Sequence, residues 1–223
     1  MMASRQFVAL RFKHLCTLLL ACFWCVTLTA QAQQDPQQLI EDNVAALMKK
    51  LEGRKDYYAK HEEELESLVD ESLDDVADFH YIAASVMGRY FRIATPEQRS
   101  RFVDVFRETL IDTYAQGLVT FDYRDIRVLE GSDERRYENQ ASVEMEVVST
   151  NGEVYPVEYT LHKREGEWSV INVIVNGINL GLTFRNQFDQ AMRDNNRDID
   201  AVIEGWTPSV ATEKLEKGGD DNQ

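Results

Sequence analysis

Side chains able to do acid–base, metal or nucleophilic chemistry occur throughout this 223-residue chain, but their spacing does not assemble them. Cys16, Cys22 and Cys25 could hold a soft metal or attack as thiolates, yet all three lie in an apolar run near the amino end. His61, His80 and His162 have no second His, Cys or helical His–Glu pair at metal-ligand spacing. No nucleophile elbow, phosphate-cradling glycine loop or dinucleotide fingerprint is found. The 39 Asp and Glu residues are so numerous that any two could be named an acid and a base, and abundance without geometry selects none. Asp74-Asp75 and Asp220-Asp221 read as surface and tail charge. One enzymatic reading stays open: Asp122, beside Tyr123, would serve proton transfer if the fold buried it.

The stretches that would hold these groups differ sharply along the chain. Arg5, Arg11 and Lys13, with no acid, precede an apolar run from Leu15 to Leu28 and then Ala30-Gln31-Ala32. This is the pattern of a secretory signal peptide, residues 1–32, cut after Ala32. At about 14 residues the run is short of the ~20 a membrane span needs. A lipoprotein cut at Leu19-Leu20-Ala21-Cys22 competes, but the apolar sequence continues beyond Cys22. Removal of the signal takes all three cysteines with it, leaving no disulfide and no thiolate. It also takes three basic residues and no acid, so 21 basic residues face 39 acidic ones, a net charge of −18. Such a surface repels phosphate backbones and excludes nucleic-acid binding. The acid excess fits a saline medium or a solvated acidic face. The length suits one domain, residues 33–210, and excludes a large multidomain enzyme. Residues 211–223 are polar and aperiodic, which predicts a disordered acidic tail.

Within the domain, Asp35 and Pro36 predict a helix start, and the apolar stripe from Leu39 to Leu51 ends before Gly53. Helical periodicity recurs over 57–76 and over 79–91. Thr95-Pro96-Glu97-Gln98 opens a long helix on which Phe102, Phe106, Leu110, Tyr114 and Leu118 repeat every four residues. Four residues turn 400°, so this stripe drifts about 40° per step and sweeps a wide face.

From Asp122 the period becomes two. Ile126, Val128 and Leu129 mark one strand; Ala141, Val143, Met145 and Val147 alternate with polar residues in the next. Asn151-Gly152 turns the chain into a strand with Tyr155, Val157, Tyr159 and Leu161 on one face. Trp168 to Val175 is apolar on both faces, and should be covered on both sides or bulged. A last helical region covers 177–203. The expected class is α+β, with a four-stranded antiparallel curved sheet wrapped by several helices.

The segments Thr95-Pro-Glu-Gln-Arg-Ser-Arg-Phe-Val-Asp-Val-Phe-Arg-Glu-Thr-Leu-Ile-Asp-Thr-Tyr and Gly166-Glu-Trp-Ser-Val-Ile-Asn-Val-Ile-Val-Asn-Gly-Ile-Asn-Leu resemble the MlaC family, also called toluene-tolerance auxiliary proteins. Phe184-Arg-Asn-Gln-Phe is similar to that family's Tyr/Phe-Arg-x-x-Phe. The likeness extends over most of residues 36–206. It implies an NTF2-like or MlaC-like sheet and helices around an apolar cavity, and a non-enzymatic periplasmic carrier of glycerophospholipid that maintains outer-membrane lipid asymmetry. The implied partners are an outer-membrane lipoprotein complex and an inner-membrane ABC transporter with an MCE-domain protein; the carrier itself would be a monomer without a cofactor. The strong acidity and the Gly-Asp-Asp tail depart from the family pattern.

The physics of the cargo agrees. Two acyl chains expose about 30 methylene groups, and at roughly 0.8 kcal/mol each a bare lipid in water costs on the order of 20 kcal/mol, so an aqueous crossing needs an apolar enclosure. Its expected walls are Phe79, Ile82, Met87, Tyr90 and Phe91 from the third helical stretch, and Phe102, Phe106 and Leu110 from the long helix. Val143, Met145, Val147, Tyr155, Val157, Tyr159 and Val173 come from the sheet, and Ile178, Leu182 and Phe184 from the last region. Arg185 is the cation expected near the phosphate, or else in a surface salt bridge. Two other readings compete: an enzyme on the same scaffold using Asp122, and an envelope chaperone or adaptor with a filled interior and an exposed apolar patch.

Overall fold

The computed structural model describes residues 35–131 and 134–208, which belong to one compact unit. The expected signal peptide with its cut after Ala32, and the expected tail over 211–223, lie outside the described residues. No helix among the described residues is long and apolar enough to cross a membrane.

Helix starts follow the capping residues. Asp35 accepts from the Gln37 N–H at 3.0 Å and Pro36 opens α1 (Pro36–Leu51). The stretch expected over 57–76 is two helices, α2 (Lys55–Tyr58) and α3 (Glu62–Asp74). The break is made by His61, whose ring stacks on Tyr57 at 3.9 Å and whose Nδ1 donates to the Tyr57 carbonyl at 2.7 Å. That side chain ends the first helical ladder, and the next begins at Glu62. Asp78 caps α4 (Phe79–Met87), after which Gly88, at φ +55°, turns the chain into a 3-10 segment, Gly88–Arg92. In α5 (Pro96–Thr120) both halves of the capping box form: Gln98 N–H to Thr95 Oγ1 at 3.2 Å, and Thr95 N–H to Gln98 Oε1 at 3.0 Å.

The strands are β1 (Tyr123–Val128), β2 (Glu134–Tyr137), β3 (Gln140–Ser149), β4 (Val154–Arg164), β5 (Glu167–Val175) and β6 (Ile178–Asn179). All pairings are antiparallel, and five strands follow one another in the order β1-β3-β4-β5-β6, with β2 also paired to β3. The path therefore has five strands, not the expected four. The extra strand, β6, has two residues, too few to show a period; β2 reads Glu-Arg-Arg-Tyr and carries no apolar alternation. Asn176 and Gly177, both at positive φ, make the tight turn that brings Ile178 back opposite Val175. The expected bulge in the doubly apolar strand is present: Thr160 pairs Asn172 and Leu161 pairs Val170, which leaves Ile171 as the extra residue.

Two helices follow, α6 (Leu180–Asp194) and α7 (Ile199–Glu204), where one region over 177–203 was expected. Asn196 and Arg197 take φ +53° and +65° between them, and Asp198 caps the restart.

Paired residues share a sheet face, so the register defines rows of side chains. Ala141, Leu161 and Val170 form one row, and Val143, Tyr159 and Val173 the next. Val128, Met145, Val157, Val175 and Ile178 form a third across all five strands, and Ile126, Val147 and Tyr155 a fourth. The opposite face carries Glu144, Glu146, Glu158 and Arg127, the last donating to Glu146 at 2.6 Å.

Candidate functional site

Three groups of buried apolar side chains frame the site. In the first, α4, α5, α6 and α7 meet around Phe102, Phe106 and Phe188, none with any accessible surface. Their rings and Trp206 touch edge to face: Phe102 lies 4.8 Å from Phe188 and 5.3 Å from Trp206, and Phe106 lies 5.7 Å from Phe184. In the second, Leu39 and Ile40 of α1 cover Ala141, Val143, Leu161, Trp168 and Val170. In the third, Leu51, Tyr58, Leu65, Leu68 and Val69 pack on Ile111 and Ala115 of α5. The drifting stripe explains why α5 serves two groups: Phe102 and Phe106 enter the first, and a turn or two later Ile111 and Ala115 enter the third.

The remaining rows of the sheet behave differently. Met145 and Val157 are buried but belong to none of the three groups, and Ile126, Val147, Tyr155 and Val175 stay half-buried on the same face, where Val128 packs against the second group and Ile178 against the first. Leu110 and Tyr114 on α5 are also half-buried. Tyr159 is the clearest case. Burial pushes its phenol up to about 12, because protein surrounds it, yet the side chain keeps accessible surface.

The expected wall residues divide between these settings. Phe79, Met87, Tyr90, Phe102, Phe106 and Phe184 are buried in the first group, with Ile82, Phe91, Leu110 and Ile178 half-buried against it. Val143 is fully buried in the second group, with Tyr159 and Val173 beside it. Met145, Val147, Tyr155 and Val157 share the inner sheet face with Ile126, Val128 and Val175. These last three were not among the expected walls; the register of β1 and β5 sets them on this face. Leu182 is 56% exposed. Arg185 is exposed and forms no ion pair among the described residues. Its Nε lies only 3.0 Å from where a side-chain carbon on Gly88 would sit, so the bare glycine admits the guanidinium. Both border an open cleft of about 240 Å³ that also contains Arg89, Asn186 and Asp189. Arg89 is committed there, to Asp189 at 2.5 Å and the Tyr90 hydroxyl at 2.9 Å.

The acid–base candidates are placed for structure. Asp122 is exposed. Asp78 receives the Tyr81 N–H at 2.9 Å and lies 3.3 Å from His162 Nε2 and 3.4 Å from Arg164, which ties the start of α4 to β4. Among the described residues no three His, Cys, Asp or Glu side chains gather into a possible metal site.

Known proteins are similar to this chain. The family model described as "MlaC protein" matches residues 41–207. The toluene tolerance protein Ttg2D of Pseudomonas putida is 38% identical over 200 residues, covering 88% of this chain and 90% of that protein. The intermembrane phospholipid transport system binding protein MlaC of Haemophilus influenzae is 24% identical over 168 residues, 74% of this chain and 77% of its own. The phospholipid-binding protein of Ralstonia solanacearum, solved in complex with a phospholipid, superposes with a TM-score of 0.68 at 26% identity, covering 77% of this chain and 94% of that one.

Proposed function

The chain belongs to the MlaC protein family, and on that premise we propose that it carries glycerophospholipid through the periplasm, between an outer-membrane lipoprotein complex and an inner-membrane ABC transporter with an MCE-domain protein. The mature domain, residues 33–210, encloses the acyl chains against the inner face of the sheet and leaves the headgroup in water. In this way it helps to maintain outer-membrane lipid asymmetry.

One observation supports the reading: Met145, Val157 and Val175, neighbours in one row of the sheet, lie outside the three packed groups, and Tyr159 beside them keeps accessible surface. Aliphatic rows suit methylene chains, which ask for area and no directional partner. The relatives named for phospholipid transport and the neighbour with a bound phospholipid support the same cargo. The enzyme reading lacks its acid, because Asp122 is in solvent. The adaptor reading asks for one exposed apolar patch, whereas Tyr57, Tyr81, Ile93, Tyr137, Val154 and Leu182 lie on separate segments.

Native mass spectrometry of protein purified from its own periplasm, with lipid extraction, tests this. A stoichiometric phospholipid is expected; repeated empty preparations would overturn it. Val157→Glu places a carboxylate where the chains should lie, at a cost of more than 1.4 kcal/mol to the bound state, so occupancy should fall at least about ten-fold while the fold survives. Unfolding of that variant would make Val157 packed core.

A further inference from the structure

We propose that the Tyr159 hydroxyl donates a hydrogen bond to an ester carbonyl of the bound glycerolipid, so that the protein prefers ester-linked to ether-linked chains. This rests on the carrier reading above and specifies a polar contact inside it.

Tyr159 projects from the middle of β4 between its cross-strand neighbours Val143 and Val173, and packs on the group that contains Leu39, Ile40, Ala141 and Leu161. None of those side chains offers an acceptor. Among the described residues its hydroxyl has no hydrogen-bond partner, and burial alone raises its pKa to about 12, with no neighbouring charge contributing. The hydroxyl therefore stays protonated at any physiological pH and is a donor in search of an acceptor.

Three other tyrosines have partners for their hydroxyls. Tyr155, on the same face, donates to Glu153 Oε2 at 2.7 Å; Tyr57 donates to Glu64 at 2.7 Å; the Tyr90 oxygen accepts from Arg89 at 2.9 Å. Once cargo covers it and excludes water, a hydroxyl without a partner is unfavourable, and phenylalanine would fill the same volume without that cost. The accessible side of Tyr159 is the side the cargo must occupy, so the acceptor comes with the cargo. A glycerophospholipid brings two kinds of acceptor, phosphate and ester. Aliphatic surroundings exclude the charged phosphate, whereas the neutral ester carbonyls lie at the junction of glycerol and acyl chain and enter with the tails. An ether-linked lipid has the same chains and headgroup but no carbonyl.

Delipidated full-length mature protein is offered an equimolar mixture of dioleoyl phosphatidylethanolamine and its di-ether analogue, and the bound species are counted by native mass spectrometry. Wild type should take the ester lipid about five-fold over the ether, the size of one neutral hydrogen bond. Tyr159→Phe should take the two equally. Equal loading of the wild type, or an ester preference that survives in Tyr159→Phe, overturns the hydrogen bond but leaves the carrier reading standing. If neither protein binds either lipid, the carrier reading itself fails. A second measurement separates a structural role: lipid-free Tyr159→Phe should melt no lower than wild type, and a lower melting temperature would reveal an internal partner and overturn the proposal.

Discussion

Phe102 and Tyr159 are both large aromatic side chains deep in the molecule, and their surroundings differ in kind. Phe102 has no accessible surface and meets the rings of Phe106, Phe188 and Trp206. Tyr159 stands on a strand whose neighbours are fixed by backbone hydrogen bonds, and it keeps accessible surface. Helices can slide and rotate until ridges fill grooves, so α4, α5, α6 and α7 close on each other. A sheet is less free: its strands are held about 4.8 Å apart and the bulge at Ile171 bends β5, and the group that α1 builds on it takes in Val143 and Leu161 but not Met145 and Val157. On the reading proposed above, one kind of side chain thus makes a solid where elements are free to approach and a container where the backbone holds the frame open.

The largest expected effect tests the solid half. Phe102→Ala removes a ring held by three others and should destabilise the protein by about 3–5 kcal/mol, lowering Tm by roughly 10 °C. If Val157 borders the proposed lipid space, Val157→Ala should cost under about 1 kcal/mol in the lipid-free protein. Equal losses in chemical denaturation would break the distinction between the two regions.

A middle-sized effect is expected at their junction. The Asn172 side chain on β5 accepts from the Gly181 N–H at 3.0 Å, and Asn179 caps the same helix by accepting from Leu182 N–H at 2.9 Å. A side-chain carbon at Gly181 would come within 2.4 Å of the Asn172 oxygen. Gly181→Ala must therefore expel Asn172, and should cost about 1–2 kcal/mol, the value of a part-buried hydrogen bond and its stranded partners. Thermal melts should show this, with a matching loss for Asn172→Ala; if the glycine variant melts with wild type, the two regions are not coupled here.

The same contrast explains what the sequence could and could not disclose. The Thr95 to Gln98 cap, the four-residue stripe of α5 and the alternation from Ala141 to Leu161 are local signals, and the structure has each where its period or cap predicts it. Segment breaks were hidden because their causes are not periodic: the His61 ring on Tyr57, the positive φ of Asn196 and Arg197, and a two-residue strand. The site was less legible than the fold. Phe106 and Val157 are both apolar residues at regular spacing, and nothing in spacing says whether the opposite side is another ring or empty space. Closure depends on what elements distant in sequence do together. The family resemblance therefore supplied the expected cargo class, while the alignment of Val128, Met145, Val157 and Val175 in one row waited for the register.

The smallest effect sharpens the comparison from the outside. Asp200 of α7 accepts from Gln98 Nε2 at 2.8 Å and pairs with Arg101, which clamps α7 to α5 over the ring-filled group. The hydrogen bond from Gln98, with that from Arg101, holds the Asp200 carboxyl below the usual carboxylate range. A depressed folded-state pKa means stabilisation that is present above the unfolded-state value and lost as pH falls through the folded one. At neutral pH the ionised clamp is therefore complete, and in acid, below about pH 4, it is released. The groups are in solvent, so the contribution is small: Asp200→Asn should melt about 2 °C or less below wild type at pH 7, and the gap should narrow as pH falls below about 4. Lipid occupancy should not change, since the clamp bears on the solid half and not on the sheet face. A variant that lost lipid as it lost the clamp would show that the container is held open by α7 as well as by the sheet.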